Sequence, residues 1–518
     1  MTYLLHQNIL EQAEKAPDHI AFRCGKEEYA YADLAVKMQQ LAAVLQDSGV
    51  RRGDRVGIFL HRCLETSLAI YGILQAGAVY VPIDPTLPEE RIRYLIQDCG
   101  IQCLVSHPSQ RRRLAVFGAD EGMLRTIIGL EAEWAVPTIS WEAVWSAPLA
   151  QAPRQLEKDL AYIIYTSGST GNPKGVMHTH YSGLTYARLT ADLYDIRSTD
   201  RIGNHAPIFF DISTLGYLTT PLVGATTVIS SDAHVMLPTS LAKLIEQERL
   251  TIWYSVPLAL IQMVQTQLLP SLDWSALRWI LYGGEPFALG HLRQLMAELP
   301  HVGISNVYGP TETNQCTFYN LPAPPVDDTP VPIGYLWGNT EMLILDEDDQ
   351  PVSDGEPGEL LIRSGTMMKG YWNNPERTKQ SFYEHTAVSG MVHTFYRTGD
   401  LVLLDENGLL QLLGRKDRQI KARGYRVELD EVEIAILSHP QVREAAVFPK
   451  AAADGQSKTI AAAISWKEEL PIPELIGFLK QKLPPYAVPE DWTKYPELPR
   501  TPTGKIDRKL LQKVALQK

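Results

Sequence analysis

Apolar residues recur at helical spacing from Ala30 to Gly49, with Leu34, Met38, Leu41 and Leu45 on one face and a glycine suited to end a helix. Arg52-Gly53-Asp54 then introduces a short apolar run, Arg55 to Leu60, that predicts a strand, and a helix follows it to Gly77. Ala78 to Pro85 reads Ala-Val-Tyr-Val-Pro-Ile-Asp-Pro, a strand closed by prolines. The runs Leu160 to Tyr165, Thr226 to Ser230, Thr251 to Val256 and Trp279 to Leu281 continue the alternation of strand and helix. Such alternation indicates an α/β fold with largely parallel sheets.

After about residue 330 the pattern changes. Glu341 to Leu345 and Glu359 to Ile362 flank Asp354-Gly355, and Leu401 to Leu404 and Leu409 to Leu413 flank Asp405-Glu406-Asn407-Gly408. These are antiparallel hairpin signals, so a β-rich subdomain is expected to end a large domain spanning residues 1–414. Residues 415–518 carry their own strand and helix signals and are long enough for a small α+β domain.

Length agrees with this division, since 518 residues exceed a single core. A formal charge of −12 argues against a nucleic-acid binder, and the one basic cluster, Arg111-Arg112-Arg113, reads as solvated surface. The five cysteines, Cys24, Cys63, Cys99, Cys103 and Cys316, show no pairing pattern and read as reduced structural thiols. Met1 to Leu10 lacks the charged and apolar regions of an export signal, and no apolar run approaches 18 residues. A cytoplasmic protein without a membrane span is therefore expected.

Candidate chemistry begins at Thr166 to Gly175, Thr-Ser-Gly-Ser-Thr-Gly-Asn-Pro-Lys-Gly, which cannot pack a core and follows an apolar strand. Glycines let a backbone approach an anion, N–H groups and hydroxyls donate to phosphate oxygens, and Lys174 supplies positive charge. It reads as a phosphate cradle thrown out from a sheet edge. It is not a Walker A loop, because Lys174 is followed by Gly175 rather than by a hydroxyl residue. Five further stretches call for a common explanation: Phe210-Asp211-Ile212-Ser213, Asn306 to Thr313 (Asn-Val-Tyr-Gly-Pro-Thr-Glu-Thr), Tyr396 to Leu401 (Tyr-Arg-Thr-Gly-Asp-Leu), Gly414 to Glu428, and Pro499 to Asp507 (Pro-Arg-Thr-Pro-Thr-Gly-Lys-Ile-Asp).

Together with the loop, these stretches resemble the motif set of the ATP-dependent adenylate-forming enzymes, and more closely the amino-acid adenylation domains of nonribosomal peptide synthesis. The resemblance runs from about Leu34 to Lys505. It implies a large domain of two α/β sheet subdomains plus a barrel-like β-rich subdomain, with a mobile small domain behind it. Thr166, Ser167, Gly168, Ser169, Thr170, Gly171 and Lys174 would hold the phosphates of ATP. Glu312 looks like the ligand of Mg²⁺, a hard oxygen donor for a hard cation. Asn306, Tyr308, Gly309 and Thr311 would surround adenine and the nucleotide, Asp400 suits the ribose hydroxyls, and Arg415 adds donors. Lys505 would counter charge between the substrate carboxylate and the α-phosphate. Asp417 would be the hinge about which the small domain swings, presenting Lys505 for adenylation or the Lys421 to Glu428 face for thioester formation.

The same resemblance places a carboxylate, Asp211, where amino-acid-activating members pair the substrate's α-ammonium. Ile212, Leu215, Tyr254, Leu281, Gly283, Val307, Gln315 and Cys316 would complete the acid pocket, with Lys505 on the carboxylate. With Asp211 the one charge in that set beside Lys505, a charged substrate side chain is not expected. The set resembles free-standing ligases that load proline onto a carrier protein, which makes proline the first expectation. It departs at Gly283 and Gln315, changes that would admit a bulkier or more polar acid, a β-amino acid, or glycine or alanine. The chain stops 13 residues after Lys505 with no phosphopantetheine-bearing segment, so the thiol acceptor is expected in trans, on a separate carrier protein, with coenzyme A the alternative. Two other readings are an acyl- or aryl-CoA ligase, indifferent to Asp211, and a non-enzymatic ATP-dependent binding or regulatory protein.

Overall fold

The computed structural model describes residues 2–115, 123–131, 136–353, 355–388, 390–451, 458–501 and 506–515. The helix expected from Ala30 spans Tyr31–Asp47, and all four of its predicted core residues are fully buried. It stops before Gly49, whose φ of 90° is left-handed backbone that favours glycine.

Two sheets share the core this helix enters. One has eight strands in the order Gly370–Tyr371, Lys174–Thr179, Leu160–Thr166, Val79–Pro82, Arg55–Phe59, Cys103–Ser106, Thr126–Ile128, Thr138–Ile139. The other has nine, running from Tyr335–Leu336 through Thr317–Asn320, Gly303–Tyr308, Trp279–Gly283, Ile252–Ser255, Arg201–Asn204, Thr226–Ile229 and Ile20–Cys24 to Glu27–Ala30. Neighbours within each sheet are parallel except near the ends, where hairpin strands join antiparallel. Helices Tyr31–Asp47 and Glu65–Gln75 pack between the sheets, against Val56, Ile58 and Tyr162 of one and Phe22 and Ile229 of the other.

The glycine-rich loop corrects one expectation. Its strand, Leu160–Thr166, is not an edge strand, and the loop is the turn of an antiparallel hairpin with Lys174–Thr179, in register from Leu160 with Thr179 to Thr166 with Lys174. Both arms of the turn are therefore anchored in the sheet.

Both predicted C-terminal hairpins form. Thr340–Leu345 pairs with Gly358–Ser364, although Asp354 of the expected turn lies outside the described residues, and Val392–Leu404 pairs with Leu410–Arg415. The long strand Val392–Leu404 also pairs with Gly358–Ser364 and Phe382–Thr386, which makes a five-stranded antiparallel sheet. Beyond it, a small domain packs helices Leu429–Leu437 and Ile472–Leu479 on strands Val442–Ala451 and Lys458–Trp466 around Val432, Ile436, Val447, Ile464 and Leu475. A two-stranded hairpin, Gln419–Ala422 with Tyr425–Glu428, precedes these elements.

Four histidines are held neutral inside the large domain. Burial lowers His6 and His205 to about 3, helped by the neighbouring His180 and Arg62 respectively. Burial also lowers His178 and His180 to about 4, against the opposing pull of the Thr311 carbonyl and of Asp159. The unfolded chain takes up protons on these rings below about pH 6.5 and the folded chain does not, so stability falls as pH drops from 6.5 towards 4. Melting temperature is expected to decline steadily over that window. His178→Gln, which keeps a donor for the Thr311 carbonyl that His178 reaches at 2.9 Å, is expected to make the decline shallower. A slope unchanged by that variant would contradict this account.

Candidate active site

The glycine-rich turn needs its glycines. A Cβ on Gly168 would stand 2.1 Å from the Asn172 carbonyl oxygen, and Gly171 has a φ of +89°. Thr166 lines a cavity above the turn and its Oγ1 is buried with no hydrogen-bond partner, a donor left free for an anion. Lys174 Nζ lies 3.3 Å from the Tyr371 hydroxyl and 3.2 Å from Glu312 Oε1. Burial, with Arg426 nearby, lowers its ammonium to about 8, although Glu312 pulls the other way.

Glu312 is fully buried and bound on both oxygens. Oε1 accepts from the Tyr371 hydroxyl at 2.8 Å, and Oε2 accepts from Arg426 Nη1 at 2.8 Å. Burial alone would raise its carboxyl, but the Arg426 and Lys174 charges outweigh that and hold it well below the usual carboxylate range. Arg426 comes from the small domain, so a cation of one domain neutralises a buried acid of the other.

A second acid sits at the junction of the domains. Asp400 accepts from the Tyr308 hydroxyl at 2.6 Å and from Arg415 Nη1 at 2.7 Å. Burial raises its carboxyl and Arg415 draws it back. Arg415 also grips Asp417 in a two-pronged contact of 2.6 and 2.7 Å, in the link between the five-stranded sheet and the small-domain hairpin. Strand Gly303–Tyr308 presents Asn306 and Tyr308 on one face; the Asn306 amide donates to the Pro332 carbonyl at 2.8 Å. Gly309 then lets the chain cross close to itself, because a Cβ there would meet the Asn314 carbonyl oxygen at 2.5 Å.

Asp211 opens a short 3₁₀ turn, Asp211–Ser213, and lines the same cavity as Thr166 and Ser167. Its Oδ2 accepts from the Thr311 hydroxyl at 2.7 Å. Burial raises its carboxyl, and the Lys421 ammonium, also in the cavity wall, is the strongest influence lowering it. Ile212, Tyr254, Val307 and Gln315 line the cavity as well. Leu215 and Leu281 lie behind them in an apolar cluster with Ile202 and Ile252.

Two expectations for this pocket fail on geometry. Cys316 does not face the cavity: while Gln315 reaches Tyr254, Cys316 packs against the five-stranded sheet beside Ile333, Leu360 and Val402. Gly283 opens no room for a substrate, because a Cβ there would meet the Val307 carbonyl oxygen at 2.4 Å and the Tyr254 hydroxyl at 3.4 Å. Lys421 also puts a charge in the cavity near Asp211 that the pocket set did not include, and Asp84, Arg91 and Arg426 line the cavity as well. Lys505 lies outside the described residues; its neighbours Arg500 and Ile506 pair in an antiparallel bridge.

The small domain seats its hairpin in this cleft. Lys421, Gly424 and Arg426 line the cavity, the Gly424 N–H donates to Glu285 Oε2 at 3.1 Å, and the Ser167 hydroxyl donates to the Arg426 carbonyl at 3.0 Å. Tyr425 stands edge-on to Phe210 with ring centroids 5.2 Å apart and stacks on Tyr486 at 4.0 Å. Arg91 and Glu431 add a buried ion pair across the same boundary. Sequence reasoning did not anticipate Tyr371 or the Arg91–Glu431 pair. Gly370-Tyr371-Trp372 carries no recognisable chemistry, and Arg91 lies in an ordinary charged helix, Glu89–Cys99.

Comparison with known proteins bears on what this cleft does. The family described as AMP-binding enzyme matches residues 9–372, and the one described as AMP-binding enzyme C-terminal domain matches residues 431–505. The chain is 34% identical over 509 residues to bacitracin synthase 1 of Bacillus licheniformis, covering 98% of itself but only 9% of that much longer protein. It is 32% identical over 509 residues to an L-proline–[L-prolyl-carrier protein] ligase of Pseudomonas fluorescens, covering 98% of each. Among solved structures, IdnL1 superposes with a TM-score of 0.80 at 26% identity, over 96% of this chain and 99% of that one. An artificially fused adenylation–PCP di-domain from Klebsiella oxytoca shares the fold, with a TM-score of 0.78 at 23% identity over 95% and 93% of the two chains.

Proposed function

This chain belongs to the AMP-binding enzyme family, and on that premise we propose that it activates a small amino acid as the aminoacyl-adenylate, releasing pyrophosphate, and then passes the aminoacyl group to the phosphopantetheine thiol of a carrier protein. The observation that carries this reading is Asp211. It is a carboxylate in the wall of the cavity shared with the phosphate-loop residues Thr166 and Ser167, influenced by the Lys421 ammonium of the seated hairpin but in direct ion-pair contact with no cation among the described residues. A buried acid is costly without a cation, and the α-ammonium of an amino acid supplies one.

The remaining roles follow from charge. ATP and a carboxylate are both anionic, so displacement at the α-phosphate needs cations around it. Lys174 and the turn hydroxyls hold the departing phosphates, Asp400 with Arg415 holds the ribose, and Lys505 spans the substrate carboxylate and the α-phosphate. Glu312 offers a hard oxygen that would hold Mg²⁺, and the metal would supply positive charge against the phosphates. Residues 1–414 form the body of the enzyme, and residues 415–518 turn about Asp417. The arrangement with Arg426 on Glu312 is the one for thioester formation, and a second, with the hairpin withdrawn, frees Glu312 for adenylation.

No helix among the described residues is long and apolar enough to cross a membrane, which fits a reaction between aqueous partners. The test is ATP–pyrophosphate exchange with a panel of amino acids, proline first because the Pseudomonas fluorescens relative is named for it, followed by loading of a pantetheinylated carrier protein or coenzyme A. Exchange driven by amino acids and loading of the carrier are expected. Exchange driven only by acids lacking an α-amine would overturn the reading of Asp211, and loading of coenzyme A alone would overturn the acceptor.

A further inference from the structure

The cavity contains a polar pair that the reaction does not use. Gln315 is 3% exposed and donates from Nε2 to the Tyr254 hydroxyl at 2.7 Å, yet its Oε1 is buried with no hydrogen-bond partner. Tyr254 is 6% exposed, and its hydroxyl makes no other hydrogen bond among the described residues. Turning the amide over does not remove the deficit. The hydroxyl would then donate to Oε1 and leave the amide N–H groups unpaired. In either orientation at least one donor hydrogen is left over, and in one of them an acceptor as well.

No second hydrogen bond completes the pair among the described residues. Leu215, Leu281 and Val307 are buried apolar residues packed around Tyr254. Gly283 lets the Val307 carbonyl oxygen approach to 2.4 Å from where a Cβ would stand, with the Tyr254 hydroxyl 3.4 Å from the same point. An amide set among aliphatic residues is poorly matched to an aliphatic ligand, because it would stay unpaired while being shut off from water.

We propose that the acid activated here carries a short neutral side chain ending in a hydroxyl or a carboxamide, bound by Gln315 and Tyr254. This rests on the amino-acid reading of the preceding section. Both groups donate and accept, so they satisfy the pair whichever way the amide is turned. A side-chain carboxylate would find no partner in Leu215, Leu281 and Val307, the Lys421 charge being set against Asp211, and proline brings only methylenes to the pair.

Isosteric substrates isolate the effect. In ATP–pyrophosphate exchange with the full chain, serine is compared with 2-aminobutyrate, threonine with valine, and asparagine with leucine. The best substrate is expected to be the polar member of its pair, ahead of its apolar partner by roughly ten- to a hundredfold in kcat/KM. Gln315→Leu is expected to shrink that ratio at least about tenfold by lowering kcat/KM for the polar member; its melting temperature reports whether it folds. Should it fail to fold, Tyr254→Phe makes the same measurement. Equal or better activity with the apolar member, or a ratio untouched in a folded variant, overturns this assignment while leaving amino-acid activation standing. Exchange with no amino acid at all overturns both.

Discussion

Gly424→Ala is expected to slow aminoacyl transfer to the carrier thiol by roughly 5- to 150-fold, with a much smaller effect on adenylate formation. Gly424 has a φ of +82°, and a Cβ there would meet Val256 Cγ1 at 2.9 Å and Cγ2 at 3.0 Å. Left-handed backbone costs an alanine about 1–2 kcal/mol, and pressing a methyl into packed atoms costs about 1–3 kcal/mol more. The contact penalty falls on the seated hairpin alone, because Val256 belongs to the large domain and Gly424 to the small one, whereas the backbone penalty belongs to the hairpin turn in either arrangement. Its N–H bond to Glu285 is lost in the same displacement. Single-turnover transfer from preformed adenylate, measured beside pyrophosphate exchange, separates the steps. Equal loss in both would mean that the seated hairpin serves adenylation too.

Asp211→Asn is expected to raise the stability of the free enzyme while lowering kcat/KM for every amino acid by roughly 30- to 3,000-fold. Burial pushes the Asp211 carboxyl above its ordinary value, so the folded chain keeps this proton to a higher pH than the unfolded chain does. The folded state then binds more protons than the unfolded state just above the ordinary carboxylate value, and the ionised group costs stability once pH has risen past its folded value. Asparagine removes that cost. It also removes the partner of the α-ammonium, and breaking one side of a buried charge pair typically costs about 2–5 kcal/mol in binding. A higher melting temperature joined to lost exchange is the expected signature. An aspartate that served only the fold would show the reverse, a lower melting temperature with activity retained in the surviving protein.

Residues close together in sequence told most about the fold. Leu34, Met38, Leu41 and Leu45 show one helical stripe, and every one is fully buried, because an isolated periodic run leaves a single way to bury its face. The hairpin at Asp405 to Gly408 was legible from its turn residues for the same reason. What stayed hidden depends on faces and distance. Gln315 and Cys316 are adjacent, and no composition rule says which of them turns inward at the end of the turn that Gly309 permits. Arg426 and Glu312 are 114 residues apart, and their meeting depends on where one domain seats against another. Gly283 looked like added room, whereas the neighbouring strand and Tyr254 take that space.

The contact between Arg426 and Glu312 has a consequence for the economy of the cycle. In the proposed cycle Glu312 would give up Arg426 before taking a metal-bound nucleotide, so fresh ATP would be engaged only after the hairpin has left. The hairpin would then work as a turnstile: while an activated acid awaits its thiol, the fuel for the next round would be kept out, and futile consumption of nucleotide would be held down by the same side chain that closes the cleft.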